Sequence, residues 1–414
     1  MSRAGFDAAR IWLVAGAAAA CLAALVGALV LIGAQGFAGF WPPRVVELRL
    51  ADGTQLLGEA VADDGKMLIL RTSENTRAGA SYVRVDTATI AAQTRPDDAF
   101  AILLADGRRL FARGDVKPNI AEAARNTPVV ETFAANSAGV VGRIGFFARE
   151  AGRFLIAPAA DGGVLPALVG TVTLVLMMAL AVMPLGVATA IFLHERRGWA
   201  ARLVHAAIAN LAGEPSILYG VLGLGLLVHG LGAGIDRWFF ADRLPVPTFG
   251  SGNLLWAALT LALLTLPVVV VSVEEGLARI PPGLAAGSLA LGATRGETIW
   301  RLLLPAARPA LLTGLILAIA RAAGAVAPLM LVGVVKLAPA LPIDGDFPYL
   351  HPSRQFMHLG FGVYDAALAS PDMLRGVPRA YACALLLVGV TFALNVAAIG
   401  LRTRLRERYR AIEN

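Results

Sequence analysis

The chain has 414 residues, 57% of them hydrophobic and 16% charged, with a formal net charge of +7. Soluble domains are about a quarter charged, so this balance excludes an ordinary soluble protein and points to several membrane spans. The two cysteines, Cys21 and Cys383, lie in apolar runs far apart, which excludes a disulfide framework. No Gly-x4-Gly-Lys-Ser/Thr phosphate loop occurs, which excludes ATP binding by that route.

A span needs about 20 mainly apolar residues, and six segments qualify: 11–33, 166–193, 203–230, 253–273, 310–334 and 380–401. The first lacks a clear small-x-small cleavage site, so residues 1–33 read as a short cytoplasmic lead and an uncleaved anchor. Trp12 near one end and Phe37, Phe40 and Trp41 near the other read as an interfacial belt. Residues 34–165 are too long for a connector and read as an extracytoplasmic domain, β-rich over 42–118 and helical over 119–157. Alternating runs at 45–50, 67–72, 81–85 and 101–114 predict strands, and Asp52-Gly53, Asp64-Gly65 and Asp106-Gly107 predict hairpin turns. LADGTQLLG at 50–58 is echoed by LADGRRLFA at 104–112, which predicts two related hairpin units. Residues 138–156 suit the outer membrane interface, with Arg143, Arg149 and Arg153 as anchors.

The remaining spans form a five-helix region over 166–401, followed by a basic tail, 402–414. The segment 274–309 is polar and Arg-bearing, and predicts a short helix, a break at Gly292 and a second helix capped by Thr294 with Glu297 three residues on. Pro305 and Pro309 mark entry into the next span. Orientation follows from Lys and Arg in the short loops. With the N-terminus inside, residues 1–10, 194–202, 274–309 and the tail hold 14 basic residues. The outside loops 231–252 and 335–379 hold six, balanced by six acids. Both termini and 274–309 therefore fall on the cytoplasmic side. This distribution accounts for the positive charge through topology, with no need of nucleic acid, and the tail reads as an anchor on anionic lipid.

Ala286, Gly287 and Ser288, then Gly292, Leu302, Leu304 and Pro305, fall on the E-A-A-x3-G-x9-I-x-L-P register of ABC-importer permeases, with Ala286 in place of the leading Glu. GGVLPALVGTVTLVLMMALAVMPLGVATAIFLHE (162–195), NLAGEPSILYGVLGLGLLV (210–228) and ARAAGAVAPLMLVG (320–333) resemble elements of the PstA phosphate permease family, in the same order. The resemblance covers about 250 residues. It implies an all-α polytopic membrane protein of the type I ABC importer permease fold, with six transmembrane helices and a small inserted extracytoplasmic β-rich domain. It further implies a non-catalytic subunit for phosphate uptake, placed in a bacterial inner membrane. The implied partners are a homologous permease, two ATPases that hold ATP and Mg, and an extracytoplasmic phosphate-binding protein. The ATPase would grip the loop bearing Ala286, Gly287, Ser288, Gly292, Ala293, Thr294, Arg295 and Glu297.

Glu214 and Arg321 are the two charges inside the predicted spans, and a charge at mid-membrane is a functional candidate by default. Arg321 offers a permanently charged planar fork suited to an oxyanion, and Ser216 adds a neutral donor. The family's G-E-T-A-P acid is Ala325 here and its threonine Val326, while the usual apolar position of N-L-A-G-x-P-S is Glu214. This predicts that Glu214 balances Arg321; mutual neutralisation at a helix contact is the plainer reading and stands beside a transport role. The same exchange leaves room for a different oxyanion or a phosphonate. Gly223, Gly225, Gly230, Gly232 and Gly234 predict close helix packing or a bend. His351 and His358, near Asp344, Asp346 and Asp365, lack the tight spacing of a zinc site. An ATPase-independent channel or carrier would not need a folded 274–309 loop, and a membrane-anchored sensor would not need five further spans.

Overall fold

The computed structural model describes residues 3–42, 44–72, 82–104, 109–114, 129–159, 162–370 and 373–413. They fall into two units, Met1–Leu165 with Ser370–Ala382, and Pro166–Ala369 with Cys383–Asn414.

In the first unit, helix α1 (Arg3–Ala38) is exposed from Trp12 to Leu31, as a lipid-facing helix is. Strands β1 (Val45–Leu50), β2 (Gln55–Asp63), β3 (Met67–Thr72), β4 (Tyr82–Asp86) and β5 (Ile90–Thr94) follow. They make an antiparallel sheet in the order β4-β3-β2-β1-β5. β6 (Ala99–Leu104), β7 (Arg109–Arg113) and β8 (Val129–Ala134) make a second sheet, ordered β7-β6-β8. The Asp-Gly signals work where they are described. Asp52 accepts from the Thr54 amide at 2.8 Å and Gly53 takes φ +86° between β1 and β2; Asp64 and Gly65 do the same job between β2 and β3. Asp106-Gly107 lies outside the described residues. The repeat is visible in three dimensions, because β1/β2 and β6/β7 are both hairpins.

β1 is buried on both sides. Val46 and Leu48 pack with Leu68, Leu70 and Val85 of the first sheet. Val45 packs with Ala101, Phe111 and Phe133 of the second. On that same side Glu47 accepts from Arg113 at 2.7 Å, so the buried acid has its partner. Asn136 brackets the start of β1, accepting from the Val45 amide and donating to the carbonyls of Val45 and Pro96.

The predicted helical stretch 119–157 needs correction. Residues 115–128 are not described, and Val129–Ala134 is the strand β8, paired along β6. VVETFA is β-branched and aromatic, which favours an extended chain beside a free edge. Helix α2 (Val140–Ile156) occupies the remainder. Its arginines are not free anchors. Arg149 and Arg153 pair with Glu131 at 2.6 and 3.5 Å, and Arg143 donates to the carbonyls of Ala135 and Ala138.

The second unit is helical: α3 (Leu165–Glu195), α4 (Trp199–Gly213), α5 (Ser216–Phe239), α6 (Leu254–Ala278), α7 (Pro282–Ala290), α8 (Arg295–Ala323), α9 (Ala327–Val332), α10 (Leu359–Ala369) and, from Cys383 onward, α11 (Met373–Glu413). Six helices among the described residues are long and apolar enough to cross a membrane: α1, α3, α5, α6, α8 and α11. α6 is the centre. Leu254, Leu261, Leu264, Val269, Val270 and Val273 are all sealed from solvent against Leu174 and Met178 of α3 and Ala318 of α8. Its 25 residues span about 37 Å, enough for a hydrocarbon core of about 30 Å. Hydroxyls within the spans are satisfied locally. Thr171, Thr173, Thr260, Thr265 and Thr313 each donate to the carbonyl four residues back, which removes the cost of a bare polar group in lipid.

The predicted single span 203–230 is two helices. Pro215 has no amide to donate and pushes its predecessor out of the helical region, and Glu214 is extended at φ −74°, ψ 140°. The glycine-rich stretch beyond is a π-helical segment, Gly223–Gly232. A methyl group on Gly223 would sit 2.2 Å from Thr260 Oγ1, so only glycine lets α5 approach α6 this closely. The predicted span 310–334 is also divided, between α8 and α9, and the 335–379 loop contains the apolar helix α10.

Candidate functional site

The segment between α6 and α8 folds as two helices locked together at a turn. Pro282 starts α7, where a missing amide costs nothing. α7 then ends in a Schellman motif: the Gly292 amide donates to Leu289 and the Ala293 amide to Ser288, with Gly292 at φ +89°. Thr294 caps α8 as predicted. Its hydroxyl accepts from the Glu297 amide at 3.2 Å, and the Glu297 carboxylate accepts from the Thr294 amide at 3.0 Å. Ser288 and Thr298 hydroxyls meet at 3.0 Å across the turn. The result is a preformed double helix end rather than a loose loop.

Its outer surface carries large apolar side chains among polar ones. Leu291 is 91% exposed and Trp300 72%, with Leu284 and Leu289 also exposed. Ala286, Gly287, Gly292, Thr294, Arg295 and Glu297 are exposed, while Ser288 and Ala293 are half-buried. Pro305 stands in the first turn of the regular α-helical part of α8, Leu304–Ala323, at the expected entry to the span, and Pro309 lies inside it. The helix accommodates Pro305 by widening into a π segment, Ile299–Leu303, just before it. The sequence pattern contains no sign of that segment.

The second locus lies at the helix breaks. Glu214 sits at the α4–α5 break, Ser216 opens α5, and Arg321 occupies the last turn of α8; all three are exposed. Their depth follows from packing. α8 runs against α6 with Gly314 at Val269 and Ser272, and the Ser272 hydroxyl on the Ala310 carbonyl at 2.9 Å. α5 runs against α6 with Gly223 at Thr260. Continuing both registers at 1.5 Å per residue puts Ser216 and Arg321 level with α6 residues 264–267, about midway along it.

Glu214 and Arg321 are not joined by an ion pair among the described residues. Tyr219 is buried and donates its hydroxyl to the Leu211 carbonyl. That carbonyl is four residues before Pro215, so it is the one that proline leaves without an amide. Tyr219 thus mends the break that places Glu214 and Ser216. Sequence reading passed over it, although a tyrosine four residues after a proline in a span is a recognisable signal. α9 closes the arrangement: Pro328 packs so tightly on Gly220 that an added methyl would lie 2.8 Å from its Cα.

The histidines of the 335–379 loop are used separately. His351 shares Asp344 with Arg354; Arg354 above all, then His351 and the Asp346 amide, hold the Asp344 carboxyl down to about 2. His358 is buried, caps α10 by accepting from the Gly360 amide, and has its basicity lowered by burial to about 4. No group of three metal-ligating side chains forms among the described residues.

Residues 183–411 match the family of binding-protein-dependent transport system inner membrane components. The chain belongs to this family. Among relatives, it is 37% identical over 185 residues to the probable ABC transporter permease protein YqgH of Bacillus subtilis, covering 44% of this chain and 56% of that one. It is 30% identical over 202 residues to the probable phosphate transport system permease protein PstA of Methanocaldococcus jannaschii, covering 48% and 66%. It is 32% identical over 242 residues to the phosphate transport system permease protein PstA 1 of Mycobacterium tuberculosis, covering 58% and 71%. The chain thus spans between about half and about seven-tenths of the length of these relatives. As a member of the family it is a multi-pass membrane permease of the ABC-importer type, with a β-rich domain at its N-terminal end.

Proposed function

We propose that this permease forms part of the pathway of an ATP-driven importer of inorganic phosphate. The observation that carries the reading is Arg321, an exposed guanidinium level with the middle of α6, at the depth of Ser216 and Glu214. A charge at that depth is costly, by an amount starting near ~3 kcal/mol, and is sustained where a water-filled pathway runs beside it. The guanidinium fork matches an oxyanion's geometry, the Ser216 hydroxyl adds a neutral donor, and Glu214 limits how tightly an anion is held. Two of the relatives above are named as phosphate permeases, which supports phosphate over other anions.

In this reading a homologous permease completes the pathway, an extracytoplasmic phosphate-binding protein delivers the anion, and two ATPases hydrolyse ATP with Mg. The chain itself is not catalytic. The preformed α7–α8 turn, with its large apolar side chains, docks on the ATPase, so both chain termini lie in the cytoplasm with it. ATP-driven approach of the two ATPases then carries the spans between inward- and outward-facing arrangements.

The test is labelled-phosphate uptake by cells lacking their own importers and expressing the chain with its partners. Uptake is expected to be saturable and to survive excess sulfate and phosphonate. Arg321→Ala is expected to abolish it while the ATPase still co-purifies, and Arg321→Lys to retain a small part. Sulfate or phosphonate competing fully would transfer the proposal to another oxyanion. Full uptake by Arg321→Ala would remove Arg321 from the pathway.

A further inference from the structure

Among the described residues, helix α2 has partners on two sides and none on the third. On one side Phe146 is buried on Phe133, ring centres 4.6 Å apart, and Arg149 and Arg153 hold Glu131 of β8. On another, Phe147 and Phe154 meet Phe37, Phe40 and Trp41 at the end of α1, with centroid separations of 5.1 to 6.3 Å. The remaining face carries Val141, Ile144, Ala148 and Leu155, spaced as one helical stripe, all exposed; Val141 is 84% exposed. A continuous apolar stripe of this kind marks an interaction surface.

We infer that this stripe lies in the outer lipid–water interface and fastens the β domain to the membrane surface. The surroundings of the stripe favour lipid over a protein occupant. α1 is exposed from Trp12 to Leu31 and ends at Ala38, so the bilayer surface lies near that end. α2 is joined to that very end by a cluster of five aromatic rings, the side chains that gather at a membrane boundary. The stripe therefore continues a surface that lipid already covers. Arg149 flanks it with 58% of its side chain exposed even while paired to Glu131, placing a cation where headgroup phosphates lie. At 17 residues the helix is about 25 Å long, long enough to float flat as a strut. Because its arginines are tied to the domain, the apolar side chains make the anchor and the arginines transmit it to β8. The inference does not depend on the cargo.

The experiment places a nitroxide at Val141→Cys, Ile144→Cys and Leu155→Cys in the full chain in liposomes, with Cys21→Ala and the buried Cys383 left in place. Collision rates with oxygen, which concentrates in lipid, are compared with those of a water-soluble nickel chelate. Ala88→Cys, exposed in the turn between β4 and β5, is the aqueous reference. All three stripe positions are expected to show several-fold higher oxygen and several-fold lower nickel accessibility than the reference. Nickel accessibility equal to that at Ala88→Cys would overturn the inference, because the stripe would face water. Low accessibility to both reagents at all three positions would also overturn it, because a protein would cover the stripe.

Discussion

Gly292→Ala isolates the backbone contribution of the turn that joins α7 to α8. Gly292 has φ +89°, and a methyl group there would meet nothing within 4 Å. The substitution therefore adds no clash, and its whole cost is holding an L residue in the left-handed region, about 1–2 kcal/mol. Gly287 and Gly296 are the controls. They sit within helices, also face open space, and alanine there is expected to gain about 0.5–1 kcal/mol. The Gly292 and Ala293 amides close the Schellman motif, so their hydrogen exchange in the purified permease reports opening of this turn. A cost of 1–2 kcal/mol corresponds to an opening equilibrium about 5–30-fold larger. Exchange at both amides is expected to accelerate by that factor in Gly292→Ala and to slow in the two controls. Unchanged or slower exchange in Gly292→Ala would refute the argument that the turn is set by glycine.

Tyr219→Phe keeps the packing of the α4–α5 break but leaves the Leu211 carbonyl without its donor, at an expected cost of about 1–3 kcal/mol. Thermal unfolding of the purified protein measures it, and an unshifted melting temperature would mean that something else satisfies that carbonyl. Asp344 supplies a pH prediction. Its folded value, about 2, lies below the ordinary 3.8. Its contribution to stability is therefore complete above about pH 4 and is lost as pH falls through about 2. Pepsin cleavage of the 341–354 loop is expected to rise across that window, and Asp344→Asn to be cleaved readily already at pH 5 with little further change.

The parts of the fold written in local chemistry were legible from sequence. The capping box at Thr294 and Glu297, the glycine break at Gly292 and the hairpins at Asp52-Gly53 and Asp64-Gly65 each depend on a few adjacent residues, and each is found. The departures arise from partners distant in sequence. VVETFA becomes β8 because β6 offers a free edge, and the α2 arginines turn inward because Glu131 lies beneath them. The pairing of Glu214 with Arg321 was inferred from two anomalies at matching places, and the sequence gives no distance between them. The structure shows no ion pair between them among the described residues and supplies Tyr219 at the break beside Glu214. Pro215 was visible throughout, but its consequence, a freed carbonyl needing a donor, becomes clear only when the tyrosine hydroxyl is seen on it.

The most direct test of the central claim is phosphate accumulation in proteoliposomes. They would hold this permease, its homologous partner and the ATPases, with ATP inside and the binding protein outside. The account predicts saturable accumulation against a gradient that requires ATP and the binding protein, and that Arg321→Ala abolishes although the complex stays assembled. ATP turnover by an assembled complex with no phosphate accumulation would contradict it.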